Sequence, residues 1–131
     1  MTTCTVLSLA DLGPDTPVRR VIRDSLTKPG SDFHKAVETK TDGHIALVFR
    51  DEKLIGWARS EQWQGHQTLE AFVEPASRNA GVAAFAAAGL VAAAALPPEV
   101  AVFHPRMLAV ARRAGLLATL FSRERDQWVI A

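Results

Sequence analysis

Val73-Glu74-Pro75-Ala76-Ser77-Arg78-Asn79-Ala80-Gly81-Val82-Ala83 is the stretch on which the fold of this chain turns. Before it, Thr68-Leu69-Glu70-Ala71-Phe72 reads as the end of a buried strand. After it, Ala84 to Leu96 is almost uncharged and rich in alanine, the strongest helix former. Pro97-Pro98 stops that helix, because proline lacks the N–H and collides with the preceding turn. The unit is strand, short loop, helix. Such a junction suits an anion: the first amides of a helix have no intrahelical partner, and the helix dipole puts partial positive charge there. Phosphate is the usual occupant. Gly81 lets a ligand approach the backbone. Ala80, Val82 and Ala83 bring no competing polar group, and no Asp or Glu lies between Pro75 and Pro98.

Composition limits the alternatives. With 131 residues, 48% apolar and 22% charged, the chain suits one globular domain over 1–131. A net charge of +1 recommends neither nucleic acid nor an anionic membrane as partner. Cys4 is the sole cysteine, so no internal disulfide or cysteine metal cluster forms, which suits a reducing cytoplasm. There is no evident signal peptide. The apolar run Ala80–Leu96 falls short of the roughly 20 residues that span a bilayer.

Outward from the central unit, Thr5 to Leu9 reads as a first strand. Asp15-Thr16-Pro17 opens a helix carrying Val18, Val21, Ile22 and Leu26 on one face. Ser31-Asp32 caps a short second helix with Phe33, Ala36 and Val37. Ile45 to Phe49 and Leu54 to Arg59 form a hairpin, in which Gly56 signals a bulge or a close approach. Gln64-Gly65 turns into the strand that ends at Val73. Val100 to Phe103 is a short buried strand. Met107, Leu108, Val110 and Ala111 mark a helix finished by Arg112, Arg113 and Gly115. Leu116 to Phe121 and Gln127 to Ile130 are two closing strands. Trp57 and Trp128 read as core, whereas Trp63, between two glutamines, reads as a candidate exposed contact. His34 and His44 show no metal-ligand spacing.

Val73-x-Pro75 followed by Arg78-x-x-Gly81-x-Ala83 resembles the acyl-coenzyme A signature of the GNAT superfamily of N-acetyltransferases. The order β-α-α-β-β-β-α-β-α-β-β resembles that family over essentially the whole chain. Leu54-Ile55-Gly56-Trp57 is similar to its characteristic hairpin, and the segment ending Gly115-Leu116 to its later helix. The resemblance implies an α/β (α+β) fold whose mixed central sheet has about six to seven strands, flanked by about four helices. It implies acetyl-CoA as acyl donor, with Phe72 and Val73 against the cofactor, a backbone N–H near Val73 at the thioester oxygen, and Arg78, Asn79, Ala80, Gly81, Val82 and Ala83 around the pyrophosphate. The acceptor is then a primary amine, on a small molecule or a protein, in a site shaped by Lys28–Lys40 and Gln62–His66.

The catalytic pair is less direct. Glu70 is the carboxylate in the right strand for a general base, with Glu61 and His66 as alternatives; its other reading is an ordinary salt-bridged carboxylate. The family's tyrosine acid falls at Ala111, and the chain contains no tyrosine. His104 replaces an asparagine that opens the same helix; it is either the acid, a pantetheine ligand or a helix cap. The rival expectation is a catalytically silent GNAT-like module for binding or assembly, such as a virion or complex component, existing as a homo-oligomer or within a larger assembly. An unrelated nucleotide-binding domain is disfavoured, because no Walker Gly-Lys-Ser/Thr is present.

Overall fold

A computed structural model describes residues 1–8, 43–78 and 80–129. The two helices expected between Asp15 and Val37, the Lys28–Lys40 acceptor segment, Asn79 and Ile130 lie outside the described residues. Within them run β1 (Thr2–Ser8), β2 (His44–Arg50), β3 (Lys53–Ser60), β4 (Gln62–Trp63), β5 (His66–Gln67), β6 (Glu70–Val73), a 3-10 turn (Pro75–Ser77), α1 (Val82–Ala94), β7 (Glu99–Val102), α2 (Pro105–Arg113), β8 (Leu117–Ser122) and β9 (Gln127–Trp128).

The expected single central sheet is divided. One sheet is antiparallel, in the order β1-β2-β3-β6; another is β7-β8-β9, with β7 and β8 parallel; β4 and β5 form a small hairpin. Thr68 and Ala101 join the two larger sheets through a parallel bridge, and the Leu69 N–H donates to the Ala101 carbonyl at 3.0 Å. Beyond that bond β6 stays with β3 while β7 departs, and Val82 and Met107 line the gap between them. Thr68 is fully buried and fixes this apex. Its Oγ1 donates to the Glu61 carbonyl and accepts from the Glu61 N–H, while its own N–H donates to the same carbonyl.

Element limits follow local chemistry. Gly81 adopts the left-handed conformation (φ 77°) and starts α1 two residues earlier than alanine content alone predicts. The helix ends at Ala94, because Leu96 precedes proline and is biased out of the α region. The Gln64-Gly65 turn has both φ values positive, the signature of a tight two-residue hairpin. β1 begins earlier than expected because it pairs in unbroken register with β2, from Thr2 opposite Arg50 to Ser8 opposite His44.

Helices α1 and α2 pack on one face of the sheets over Ala46, Val48, Ile55, Ala58, Val100 and Val102. Gly56 permits the close approach read from the sequence. A β-carbon there would stand 2.8 Å from Val82 Cγ1 and 2.9 Å from the Phe72 carbonyl oxygen. Ile55 beside it is the extra residue of a bulge against β2. The opposite face holds Ile45, Leu47, Leu54 and Trp57, with Phe72 stacked on Trp57 at 6.3 Å between ring centroids. Trp57 is therefore core, as expected. Trp63 is not an exposed contact: half-buried, its ring meets Phe103, Phe121 and Trp128 edge-on at 5.1, 4.9 and 6.3 Å.

Candidate functional site

The divergence of β6 and β7 opens a groove of about 550 Å³ on the helix-covered face. That is the size of a small-molecule or cofactor site, which is roughly 300–1,000 Å³. Its β6 wall is Ala71, Phe72 and Val73; its upper wall is Ser77, Arg78 and the start of α1 from Gly81 to Ala84; its far wall is His104 and α2.

Strand pairing determines which backbone groups face this groove. Val73 lies opposite Gly56, and the Glu74 N–H donates to the Ile55 carbonyl at 2.9 Å. That bond belongs to the antiparallel pattern in which the opposed residues themselves point away from one another. The N–H and C=O of Val73 therefore face the groove, as do those of Ala71 two residues earlier. Arg78 Nε donates to the Val73 carbonyl at 3.1 Å, which folds the guanidinium back across the end of β6. The Val73 N–H remains directed into the opening.

The start of α1 is an unneutralised donor array. Gly81 is its N-cap, no side chain caps it, and no acidic residue occupies the first turn. Among the described residues nothing lies within 4 Å of a β-carbon built on Gly81, and glycine is favoured there by its positive φ. Arg106 and Arg113, seven residues apart on α2, add two guanidinium groups to Arg78, and the described lining contains no carboxylate. Sequence reasoning missed both arginines. Their spacing of about two helical turns was the available signal, but Arg113 fitted equally well as a helix-end cation.

His104 is the N-cap of α2, and its Nδ1 accepts from the Arg106 N–H at 3.1 Å. An acceptor Nδ1 fixes the neutral tautomer with the proton on Nε2, at the groove's edge. The capping reading and the site reading thus hold together.

Glu70 stands elsewhere. It shares a sheet face with Phe72, and its Oε1 lies 3.1 Å from Arg59 Nη2 and 3.3 Å from Arg123 Nη2. Arg59, 5% exposed, also meets Glu61 Oε1 at 3.7 Å, so Glu61 belongs to the same buried ion-pair group. The Arg123 guanidinium covers the Phe103 ring at 3.8 Å. His66 packs on Trp128 at 4.8 Å, away from the groove. Of the expected residues, Phe72, Val73, Arg78, Gly81, Val82, Ala83 and His104 border one groove; Ala80 is exposed at its approach, Glu70 lies behind it, and Asn79 is outside the described residues. The Phe72 ring itself is turned to Trp57. Among the described residues no cluster of His, Cys, Asp or Glu is placed to hold a metal ion, and no helix is long and apolar enough to cross a membrane.

No protein-family model and no curated protein matches the chain. Among solved structures, the aminoglycoside acetyltransferase meta-AAC0020 from an uncultured soil metagenomic sample, in complex with trehalose, aligns with 95% of this chain and 80% of its own. The identity is 11% and the TM-score 0.38.

Proposed function

We propose that the chain binds an acyl-coenzyme A, acetyl-CoA in the first instance, in the groove between β6 and β7, and transfers the acyl group to a primary amine. One observation carries this reading: the inward-facing Val73 amide, the uncapped first turn of α1 and three arginines converge on a groove without carboxylates. The donor fits that chemistry. Its phosphates match the amides and guanidiniums, and its neutral thioester arm matches the apolar β6 wall.

Coenzyme A supplies an activated thioester when bound. The first amides of α1 and Arg78 hold the pyrophosphate, each charge-assisted hydrogen bond contributing roughly 1.5–3 kcal/mol. Arg106 and Arg113 add positive charge along the far wall. The Val73 N–H stabilises negative charge that develops on the acyl oxygen; a preorganised donor of this kind lowers a barrier by about 3 kcal/mol. His104 carries its Nε2 proton at the groove's edge, placed to donate a hydrogen bond to the departing thiolate, which takes its own proton from solvent. The amine proton leaves to solvent, since the Glu70 carboxylate stands behind the groove in its ion pairs with Arg59 and Arg123.

The silent-module reading draws on the absence of tyrosine and on the engagement of Glu70 by two arginines. A groove filled by side chains such as Phe72 or His104, or buried in a subunit interface, would favour it. The Phe72 ring instead stacks on Trp57, and the groove is open. Thermal unfolding with acetyl-CoA tests the binding claim. At about 100 times its dissociation constant the ligand adds ~2.7 kcal/mol to the native state, a rise of several degrees in Tm. Gly81→Glu, which sets a carboxylate at the helix start, abolishes the rise. An unchanged Tm at saturating ligand refutes the site. A rise without acetyl transfer to any amine in a screen leaves the binding module.

A further inference from the structure

Two features unrelated to the groove's ligand meet along β1 and the flank of α1 beside it. β1 is the outer strand of its sheet, and among the described residues it pairs with β2 alone. Natural edges are usually guarded by charge or proline. The edge at β9 follows that rule, with Arg123, Glu124, Arg125 and Asp126 beside it. β1, reading Thr-Thr-Cys-Thr-Val-Leu-Ser, has no charge and no proline along seven residues.

Beside this edge runs α1, which contains no polar side chain over Val82–Ala94. A helix that is apolar all round belongs in an interior, yet Phe85, Ala88 and Ala92 are exposed, Phe85 to 44%. The direction of that exposed side is fixed by Gly89, where a β-carbon would stand 2.6 Å from Cys4 Sγ. Gly89 thus marks the flank of α1 turned toward β1. At about 100° per residue, Phe85 and Ala92 lie within roughly 60° of it around the axis. Among the described residues, the unpaired edge of β1 and the exposed flank of α1 form one continuous surface.

We propose that this surface is a homodimer interface, with β1 of one copy pairing antiparallel with β1 of a second copy about a two-fold axis through Thr5. The backbone register selects that axis. The Asp51 N–H donates to the Met1 carbonyl, so Thr2, opposite Arg50, directs its own N–H and C=O outward, and Cys4, Val6 and Ser8 follow by alternation. A two-fold axis at Thr5 sets Cys4 against Val6 of the second copy and Thr2 against Ser8. Each outward N–H then meets an outward C=O. A self-paired edge brings identical residues together about its axis, and an uncharged one does so without repulsion. The same operation puts both α1 helices on one side of a continuous eight-stranded sheet (four strands from each copy), with their Phe85, Ala88 and Ala92 flanks facing.

Sedimentation velocity over a concentration series, combined with directed cross-linking, tests this. The expected species has twice the 14.2 kDa chain mass. Thr5 is exposed, so Thr5→Lys should fold, as circular dichroism would verify, and should shift the equilibrium to monomer by placing two ammonium groups face to face. In a Cys4→Ser background, Thr5→Cys should form an intermolecular disulfide. The two Cα atoms of that non-hydrogen-bonded pair lie about 4.5 Å apart, within the disulfide range. Thr3→Cys in the same background should not cross-link, because the two copies of residue 3 stand about 14 Å apart along the strands. A monomer at every concentration overturns the proposal, as does a dimer in which Thr3→Cys cross-links as readily as Thr5→Cys.

Discussion

Replacing Gly89 by alanine sets two opposing effects of known size against each other. Gly→Ala in a helix interior stabilises by about 1 kcal/mol through backbone entropy. Against this, the new methyl would stand 2.6 Å from Cys4 Sγ, where ordinary contact needs about 3.5–4.0 Å. The sulfur sits on a short side chain held by the β1–β2 ladder, so relief requires the strand or the helix to shift. Overpacking of this kind costs about 1–3 kcal/mol. The expected net effect of Gly89→Ala is a loss of about 1 kcal/mol, the overpacking cost less the helix gain. In a Cys4→Ala background the sulfur is gone, and the nearest atoms become Val6 Cγ2 at 3.7 Å and the residue 4 β-carbon at 3.8 Å, both ordinary contacts. There the same substitution should stabilise by about 1 kcal/mol, giving a coupling energy near 2 kcal/mol. Urea unfolding of the four variants at one fixed low protein concentration measures it, and m should stay constant across the set. Equal effects of Gly89→Ala in both backgrounds would refute the packing of α1 on β1 from which this magnitude and the dimer surface are argued.

Gly56→Ala has no comparable escape, because one of the atoms it meets is a backbone oxygen; a loss of about 1–3 kcal/mol in urea unfolding is expected, and an unchanged midpoint would deny the close approach. Arg78→Ala and Arg113→Ala should each weaken acetyl-CoA binding about 10- to 100-fold by calorimetry, as loss of a charge-assisted contact implies, with little change in Tm of the free protein; wild-type affinity in both would remove the guanidiniums from the site. Glu74 is held below its usual carboxylate range by the Ser77 hydroxyl, which donates to it at 2.8 Å, and by Lys53 at 3.3 Å. A depressed folded-state value means that its contribution to stability is complete above the ordinary Glu value of 4.5 and disappears as the pH falls below it. Ser77→Ala should therefore flatten the acid limb of Tm against pH, and an identical limb in the variant would disprove the link. Burial raises the Cys4 thiol above its ordinary value, so alkylation at neutral pH should be slower than for a free thiol and should accelerate on unfolding.

How far the sequence could be read depended on the range of the cause. Gly81, Pro97 and the Gln64-Gly65 turn act through their own φ angles, and the strand–loop–helix unit was legible from them. The hairpin glycine at position 56 announced a close approach, and its contacts with Val82 and Phe72 are that approach. Long-range pairing was not legible. Nothing in Thr68-Leu69 says that the first of these residues bridges Ala101 while the next strand departs, so one sheet was expected where two meet at an apex. Side-chain partnerships across the chain were equally hidden. Glu70 looks the same in sequence whether it faces a substrate or two arginines, Arg59 opposite it on β3 and Arg123 from the β8–β9 turn, and Trp63 between glutamines gave no sign of Phe103, Phe121 and Trp128. Arg106 and Arg113 were visible as charges, but the groove that gives them a shared direction exists only once α2 is seated.

The alternation of bonding along β6 leaves a kinetic signature in solution. Glu70 and Phe72 direct their amides into the ladder with β3, whereas Ala71 and Val73 direct theirs into the groove. Deuterium should therefore replace the amide protons of Ala71 and Val73 much faster than those of the two residues interleaved with them, a sawtooth within four consecutive positions that local unfolding of the whole strand could not generate. A molecule seated in the groove would slow the fast pair and leave the slow pair unchanged. The strand thus reports occupancy of the groove residue by residue, before any reaction is known.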